Sequence, residues 1–242
     1  MSDVLRSLHG GVVVSCQALL GEPLFGQMFF MAKAAAEGGA AGILMNGYED
    51  IAQAKAAVHI PVIGVMTQAY PDAEVELTPT IEEVASAMRA GADLVACDAT
   101  WRRRPNGEAI DEFYRKCRER FPNRLLVAEV ATVDEAVLAR RLGFNCVSSA
   151  AYGYTPETHG RKLYDDDFAA FREIRGAVTD CPVIGEGGVV SPSHAARLLE
   201  LGADFVVVGS SITRPQTITE RFASAMKQAK CDRQLLARIS ST

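Results

Sequence analysis

Eight short runs dominated by Val, Ile and Leu recur along this chain, each followed by a longer amphipathic stretch, with no linker or low-complexity break between them. They are GVVVS from residue 11, GILMN from 42, PVIGVM from 61, DLVACD from 93, LLVAEV from 125, NCVSSA from 145, PVIGE from 182 and DFVVVG from 204. Strands this continuously apolar must be covered on both faces, which specifies a parallel sheet wrapped in helices. The intervening stretches TIEEVASAMRAG, TVDEAVLARRLG and SPSHAARLLELG each open on a capping residue and close on glycine, as helices do. Eight strand–helix units predict closure into an α/β fold of the (β/α)8 TIM-barrel type, a single domain over residues 1–242, with an open doubly wound sheet as the competing topology.

An internal repeat supports the count. G-A-D-[LF]-V occurs at 91 and 202, with a looser G-F-N-C-V at 143, while P-V-I-G opens the third and seventh runs. Two successive strand–helix units therefore form the repeating element.

Closure of the barrel carries a positional rule: chemistry gathers at the C-terminal ends of the strands. That selects Gln17, Asn46, Thr67, Asp98, Glu129, Tyr154 in the loop after the sixth strand, Glu186 and Gly209. The seventh and eighth strands run into EGGVVSP and GSSITRP, two glycine-bearing turns that each precede a helix start. Bare backbone N–H groups beside a helix N-terminus suit a phosphate, with Arg214 as an added donor; the alternative is that the glycines only permit tight turns. Glu186 stands at the rim of that turn. A carboxylate near a barrel axis among apolar neighbours is expected to hold its proton more tightly, which fits exchange with carbon near neutral pH, unless it serves only to accept backbone hydrogen bonds.

Other chemistries find little support. A net charge of −5 lacks the basic field of a nucleic-acid binder, and the one basic cluster, WRRRP at 101–105, reads as a solvated loop or as an anion or subunit contact. The histidines at 9, 59, 159 and 194 lack ligand spacing, so no metal is expected, and neither a G-x-S-x-G turn nor a Walker loop is present. Six scattered cysteines without a C-x-x-C pair read as reduced thiols of a cytoplasmic protein. No apolar stretch of bilayer length occurs, and no membrane partner is expected.

Several segments resemble the N-acetylmannosamine-6-phosphate 2-epimerase family: VSCQALLGEPLF at 14–25, DAT followed by RP at 98–105, GYTPET at 153–158, PVIGEGGVVSP at 182–192 and VVVGSSITRPQTITERF at 206–222. The resemblance spans nearly the whole chain. It implies a TIM barrel that interconverts the 6-phosphates of N-acetylmannosamine and N-acetylglucosamine in sialic acid catabolism, without a cofactor. Residue by residue, it implies that Gln17 is the strand-one glutamine, Glu186 the acid–base glutamate and Arg214 the phosphate-side arginine. Gly187, Gly188 and Gly209 would supply the phosphate cradle, with Ser210 where another glycine is usual.

The chain departs from the family pattern around one sub-site. The family lysine after the third strand falls on Thr67, its arginine on Gln68 and its aspartate on Ala69; a strand-two arginine becomes Leu44, and a strand-five aspartate becomes Glu129. Epimerisation at C2 removes a proton from one face and delivers one to the other, and an unactivated hydroxyl is too weak a base for that. A second group would then come from elsewhere, Lys162 in THGRKLYDDD or water relayed past Glu129. The other readings are an isomerase or epimerase of a different phosphorylated sugar, since a 1,2-hydrogen shift between aldose and ketose can run on one face with a lone Glu186, and a sugar-phosphate-binding relative without catalysis. The tail CDRQLLARISST reads as a terminal helix available to exchange between the partners of a homodimer.

Overall fold

Eight parallel strands close on themselves in the order β1 to β8 in this computed structural model, which describes residues 2–239, with side chains through Arg233. The strands are β1 (Val12–Cys16), β2 (Gly42–Asn46), β3 (Val62–Val65), β4 (Leu94–Asp98), β5 (Leu125–Glu129), β6 (Cys146–Ser148), β7 (Val183–Gly185) and β8 (Phe205–Val208). The helices are α1 (Asp3–Leu8), α2 (Met28–Glu37), α3 (Tyr48–Ala57), α4 (Ile81–Arg89), α5 (Ile110–Arg120), α6 (Val133–Leu142), α7 (Ala169–Ala177), α8 (Pro192–Glu200), α9 (Ser210–Thr213) and α10 (Pro215–Ile239). Val13 pairs with both Gly42 on β2 and Val207 on β8, so the sheet has no open edge and the doubly wound alternative falls away. The molecule is a single-domain (β/α)8 TIM barrel.

Period-two alternation along each strand divides the core in two. Val13, Leu44, Ile63, Val65, Leu94, Ala96, Val127, Cys146, Ile184, Phe205 and Val207 fill the barrel interior. Helix α1 closes its N-terminal mouth with Leu5 and Leu8, and Gly42 makes room, since a Cβ there would lie 2.6 Å from Leu8 Cδ2. The alternate residues, among them Val14, Cys16, Ile43, Met45, Val95, Cys97 and Val147, face the helices.

The sequence repeat has a hydrogen-bonding cause. Asp93 Oδ2 accepts the Val62 N–H at 2.8 Å, Asn145 Oδ1 the Leu126 N–H at 2.9 Å, and Asp204 Oδ2 the Val183 N–H at 2.8 Å. In each case the residue opening an even strand satisfies a donor at the start of the odd strand before it. The matching position before β2 is Ala41, whose N–H meets the Val12 carbonyl at 2.8 Å as its counterparts meet theirs. Gly11 leaves room for the Ala41 methyl, since a Cβ on residue 11 would lie 2.4 Å from Ala41 Cβ.

Capping boxes at Thr80 with Glu83 and at Thr132 with Glu135 start α4 and α6. Glu135 is almost wholly buried because its carboxylate takes three backbone donors, Trp101 at 2.9 Å, Ala131 at 2.7 Å and Thr132 at 2.9 Å, tying the β4–α5 loop to α6. The WRRRP cluster is not a uniformly solvated loop: Arg104 is buried, stacked 4.0 Å from the Phe113 ring, and donates to the Pro79 and Asp98 carbonyls. Among the described residues no helix is long and apolar enough to cross a membrane. The expected terminal helix continues as α10 to Ile239; residues 240–242 lie outside the described residues.

Candidate active site

The alternation that sends Val13 or Ile184 into the barrel sends the polar residues at the strand ends there as well. Asp98, Glu129 and Ser148 stand opposite one another in the registers of β4, β5 and β6. Glu186 stands two residues beyond Ile184 and so points to the same axis, one layer higher. Ser148 donates its hydroxyl to Glu186 Oε2 at 2.7 Å, while Ser149 donates to the Glu186 carbonyl at 2.7 Å and accepts its N–H at 3.1 Å. Two consecutive serines therefore fix both the backbone and the carboxyl of one glutamate.

Burial pushes the Glu186 carboxyl up to about 7, against the opposing pull of the Ser148 hydrogen bond, which favours the ionised form. Glu129 is held well above the usual carboxylate range by burial first, then by the charges of Glu186 and Asp98, with the Arg102 guanidinium acting the other way. Its carboxyl has no hydrogen-bond partner among the described residues. Asp98 is committed elsewhere: it accepts from the Thr100 N–H at 2.8 Å and hydroxyl at 2.7 Å and pairs with Arg102.

Glu186 opens into a cavity of about 630 Å³ over the ends of β6, β7, β8 and β1. Ser15, Tyr154, Lys162, Tyr164 and Arg221 contribute to its wall, together with the turns Gly187–Val190 and Gly209–Ser211. Gly187 and Gly188 have φ of 104° and 66°, the left-handed region where a side chain is strained. The N–H groups of Gly187, Gly188, Ser210 and Ser211 have no acceptor among the described residues, so an anion entering this end meets bare donors.

The remaining predicted residues fall at different distances from this cavity. Gln17 donates to Ser15 Oγ at 2.9 Å, just behind the wall. Asn46 and Thr67 are coupled across β2 and β3, Asn46 Oδ1 accepting the Thr67 N–H at 2.9 Å, on the far side of the barrel mouth from β7. Leu44 is buried in the barrel interior one layer below them. Arg214 does not line the cavity: it pairs with Glu22 at 3.2 Å and reaches Ser210 Oγ at 3.4 Å. Arg221 lines it instead, donating to Ser211 Oγ at 3.1 Å.

Sequence reasoning missed Ser15, Ser148, Ser149, Tyr164 and Arg221. A small polar residue inside an apolar run looks like core filling; for Ser15 and Ser148 the signal was the same period-two phase that exposed Glu129, and Ser149, Tyr164 and Arg221 lie outside the strands. No three His, Cys, Asp or Glu side chains among the described residues form a metal-binding group.

Comparison with known proteins agrees with this geometry. The profile of the NanE family, described as "Putative N-acetylmannosamine-6-phosphate epimerase", matches residues 28–228. The chain belongs to the NanE family. A NanE relative from Enterobacter sp. (strain 638) is 46% identical over 96% of this chain and 100% of its own length. One from Listeria monocytogenes serotype 4b (strain F2365) is 41% identical over 94% and 99%. The solved structure of the N-acetylmannosamine-6-phosphate 2-epimerase from Clostridium perfringens superposes with a TM-score of 0.86 at 39% identity, covering 93% of this chain and 96% of that one. Thiamine phosphate pyrophosphorylase from Pyrococcus furiosus, 19% identical with a TM-score of 0.60, shares the barrel alone.

Proposed function

We propose that this chain interconverts N-acetylmannosamine 6-phosphate and N-acetylglucosamine 6-phosphate by moving a proton at C2, within the cytoplasmic breakdown of amino sugars such as sialic acid. The observation that carries the reading is the pairing, in one cavity, of a carboxyl near neutrality with four unclaimed backbone donors. C2 is acidic only when it neighbours a carbonyl, as in the open-chain aldehyde. A base at Glu186 then takes its proton, the C–H pair forms the C1=C2 bond of an enolate as the carbonyl pair moves to O1, and return of a proton to the other face restores the carbonyl and gives the epimer. The donors at Gly187, Gly188, Ser210 and Ser211 would hold the 6-phosphate, with Gly209 shaping the second turn. Arg221 would add charge, and Arg214, neutralised by Glu22, would brace the turn through Ser210. Gln17, Asn46, Thr67, Glu129 and Tyr154 would address the sugar's remaining groups.

The test is solvent exchange. In D2O the protein should place deuterium at C2 of both N-acetylhexosamine 6-phosphates, and Glu186→Gln should slow their interconversion by about 10²-fold to 10⁴-fold. Stabilisation by both phosphosugars without exchange into either would point to a binding protein; strict exchange in some other phosphosugar would move the substrate assignment.

The long helix α10 favours a second proposal, that the protein works as a homodimer. From Thr219 to Arg233 every residue of α10 is exposed, including Phe222 at 70% and Met226 at 73%.

A further inference from the structure

We infer that Lys162 is the second proton-transferring group, delivering to C2 from the face opposite Glu186; the inference rests on the epimerase reading above. A change of configuration requires two groups that approach C2 from different sides, because a single base returns the proton to the face it came from. Glu186 rises from the barrel floor. Glu129 shares that floor, in register with the serine that bonds Glu186, so the two carboxyls address the same side. A partner for Glu186 has to come from the loops that overhang the strand ends.

The chain has six lysines. Lys55 is paired with Asp93 at 2.8 Å and Lys116 with Glu108 at 2.6 Å; Lys33 lies over the Phe29 ring, and Lys227 and Lys230 belong to α10. Lys162, in the β6–α7 loop, lines the Glu186 cavity, and its ammonium has no acceptor among the described residues. Arg221 in the same wall is already engaged, donating to Ser211 Oγ at 3.1 Å and to the Val190 carbonyl at 3.5 Å. The Tyr164 ring is turned against His194 at 5.0 Å.

The loop fixes the backbone that carries the exposed Lys162 side chain. Thr155 and Thr158, the threonines of GYTPET, are buried and bonded to each other at 2.9 Å, and Thr158 also accepts the Gly153 N–H at 2.9 Å. Gly153 lets the segment fold back: a Cβ there would lie 2.6 Å from the Arg161 carbonyl oxygen, one residue before Lys162. The Lys162 N–H then donates to Asp165 Oδ2 at 2.9 Å, while its carbonyl accepts the Asp165 N–H at 3.0 Å.

The proton ledger is closed. In one direction the Glu186 carboxylate takes the C2 proton, the C–H pair becomes the enolate, and the Lys162 ammonium protonates the other face and is left as the amine. The reverse direction starts from neutral Lys162 and protonated Glu186, and solvent resets both.

Lys162→Met and Lys162→Arg, assayed in D2O beside the wild type, test this. Both variants should fold, with melting curves like the wild type, and should lose interconversion by 10³-fold or more. In both, Glu186 should still wash deuterium into C2 of one epimer and not the other. Interconversion within tenfold of wild type in either variant overturns the inference. So does equal loss of exchange in both epimers with a raised KM, the signature of a lysine that only binds substrate. Failure of the wild type itself to interconvert the two sugars would instead sink the epimerase reading.

Discussion

At Glu186 burial and a hydrogen bond oppose each other, and burial wins. The carboxyl titrates near 4.5 when the chain is unfolded and near 7 when it is folded. Between those values the folded protein holds a proton that the unfolded chain has released, so stability falls as pH rises from about 4.5 to about 7 and stays lower above that. A shift of this size corresponds to about 3 kcal/mol, and Glu129 acts in the same direction. Urea melts at pH 5 and pH 8 should therefore show the wild type less stable at the higher pH. Glu186→Gln, which keeps a partner for Ser148 and has no charge to bury, should recover about 1–3 kcal/mol of that loss. Exchange at C2, which needs the ionised carboxylate, should rise through pH 7 in the wild type; equal melts for the two proteins at pH 8 would refute the burial argument. Glu186, Glu129 and Asn46 were legible as inward-facing because strand phase carries straight past the strand end. Arg214 and Arg221 were not separable that way. Which of them faces the ligand depends on Glu22, 192 residues away in sequence from Arg214.

At the scale of elements, the acid or amide that opens β4, β6 and β8 works as a clip on the strand before it. Removing it from β8 with Asp204→Ala takes away the side-chain acceptor of the N–H of Val183, a fully buried residue. The expected loss is about 1–3 kcal/mol by chemical denaturation. Asp204→Asn should restore most of it, because Asn145 already performs the same task for β5 with an amide oxygen. If Asn behaves like Ala, the charge rather than the acceptor matters, and the pairing with His9 at 3.6 Å becomes the better explanation. The repeat thus announced strand boundaries in the sequence, and the eight strands lie where the apolar runs predicted. What the sequence hid was α1. Its six residues, DVLRSL, are too few for an amphipathic pattern to stand out, and their role as a plug depends on the hollow that Gly42 leaves in the N-terminal mouth of the barrel.

For the whole molecule the decisive feature is a helix that, among the described residues, has little to rest on. At 1.5 Å per residue, the 25 residues of α10 extend for about 37 Å, and its principal neighbour is the four-residue α9. Most helical stability in proteins comes from packing an apolar face. Phe222 and Met226, four residues apart, form such a face, and both are exposed. The same chain leaves Leu20 and Phe30 exposed at 87% and 65% in and before α2, so it carries both halves of an apolar contact. A second copy covering α10 would satisfy both, and symmetric pairs are the commonest soluble assemblies. Sedimentation at micromolar protein should give twice the 26.0 kDa chain mass. The double substitution Phe222→Glu, Met226→Glu should shift the protein to monomer, lower its melting temperature and remove the concentration dependence expected of the wild-type melt. Arg221 ties this scale to the chemistry. It stands in the first turns of α10 and in the wall of the cavity, so a monomer whose α10 loses its support should bind the phosphosugar more weakly. A variant that stays dimeric, or becomes monomeric with KM unchanged, would separate assembly from the site.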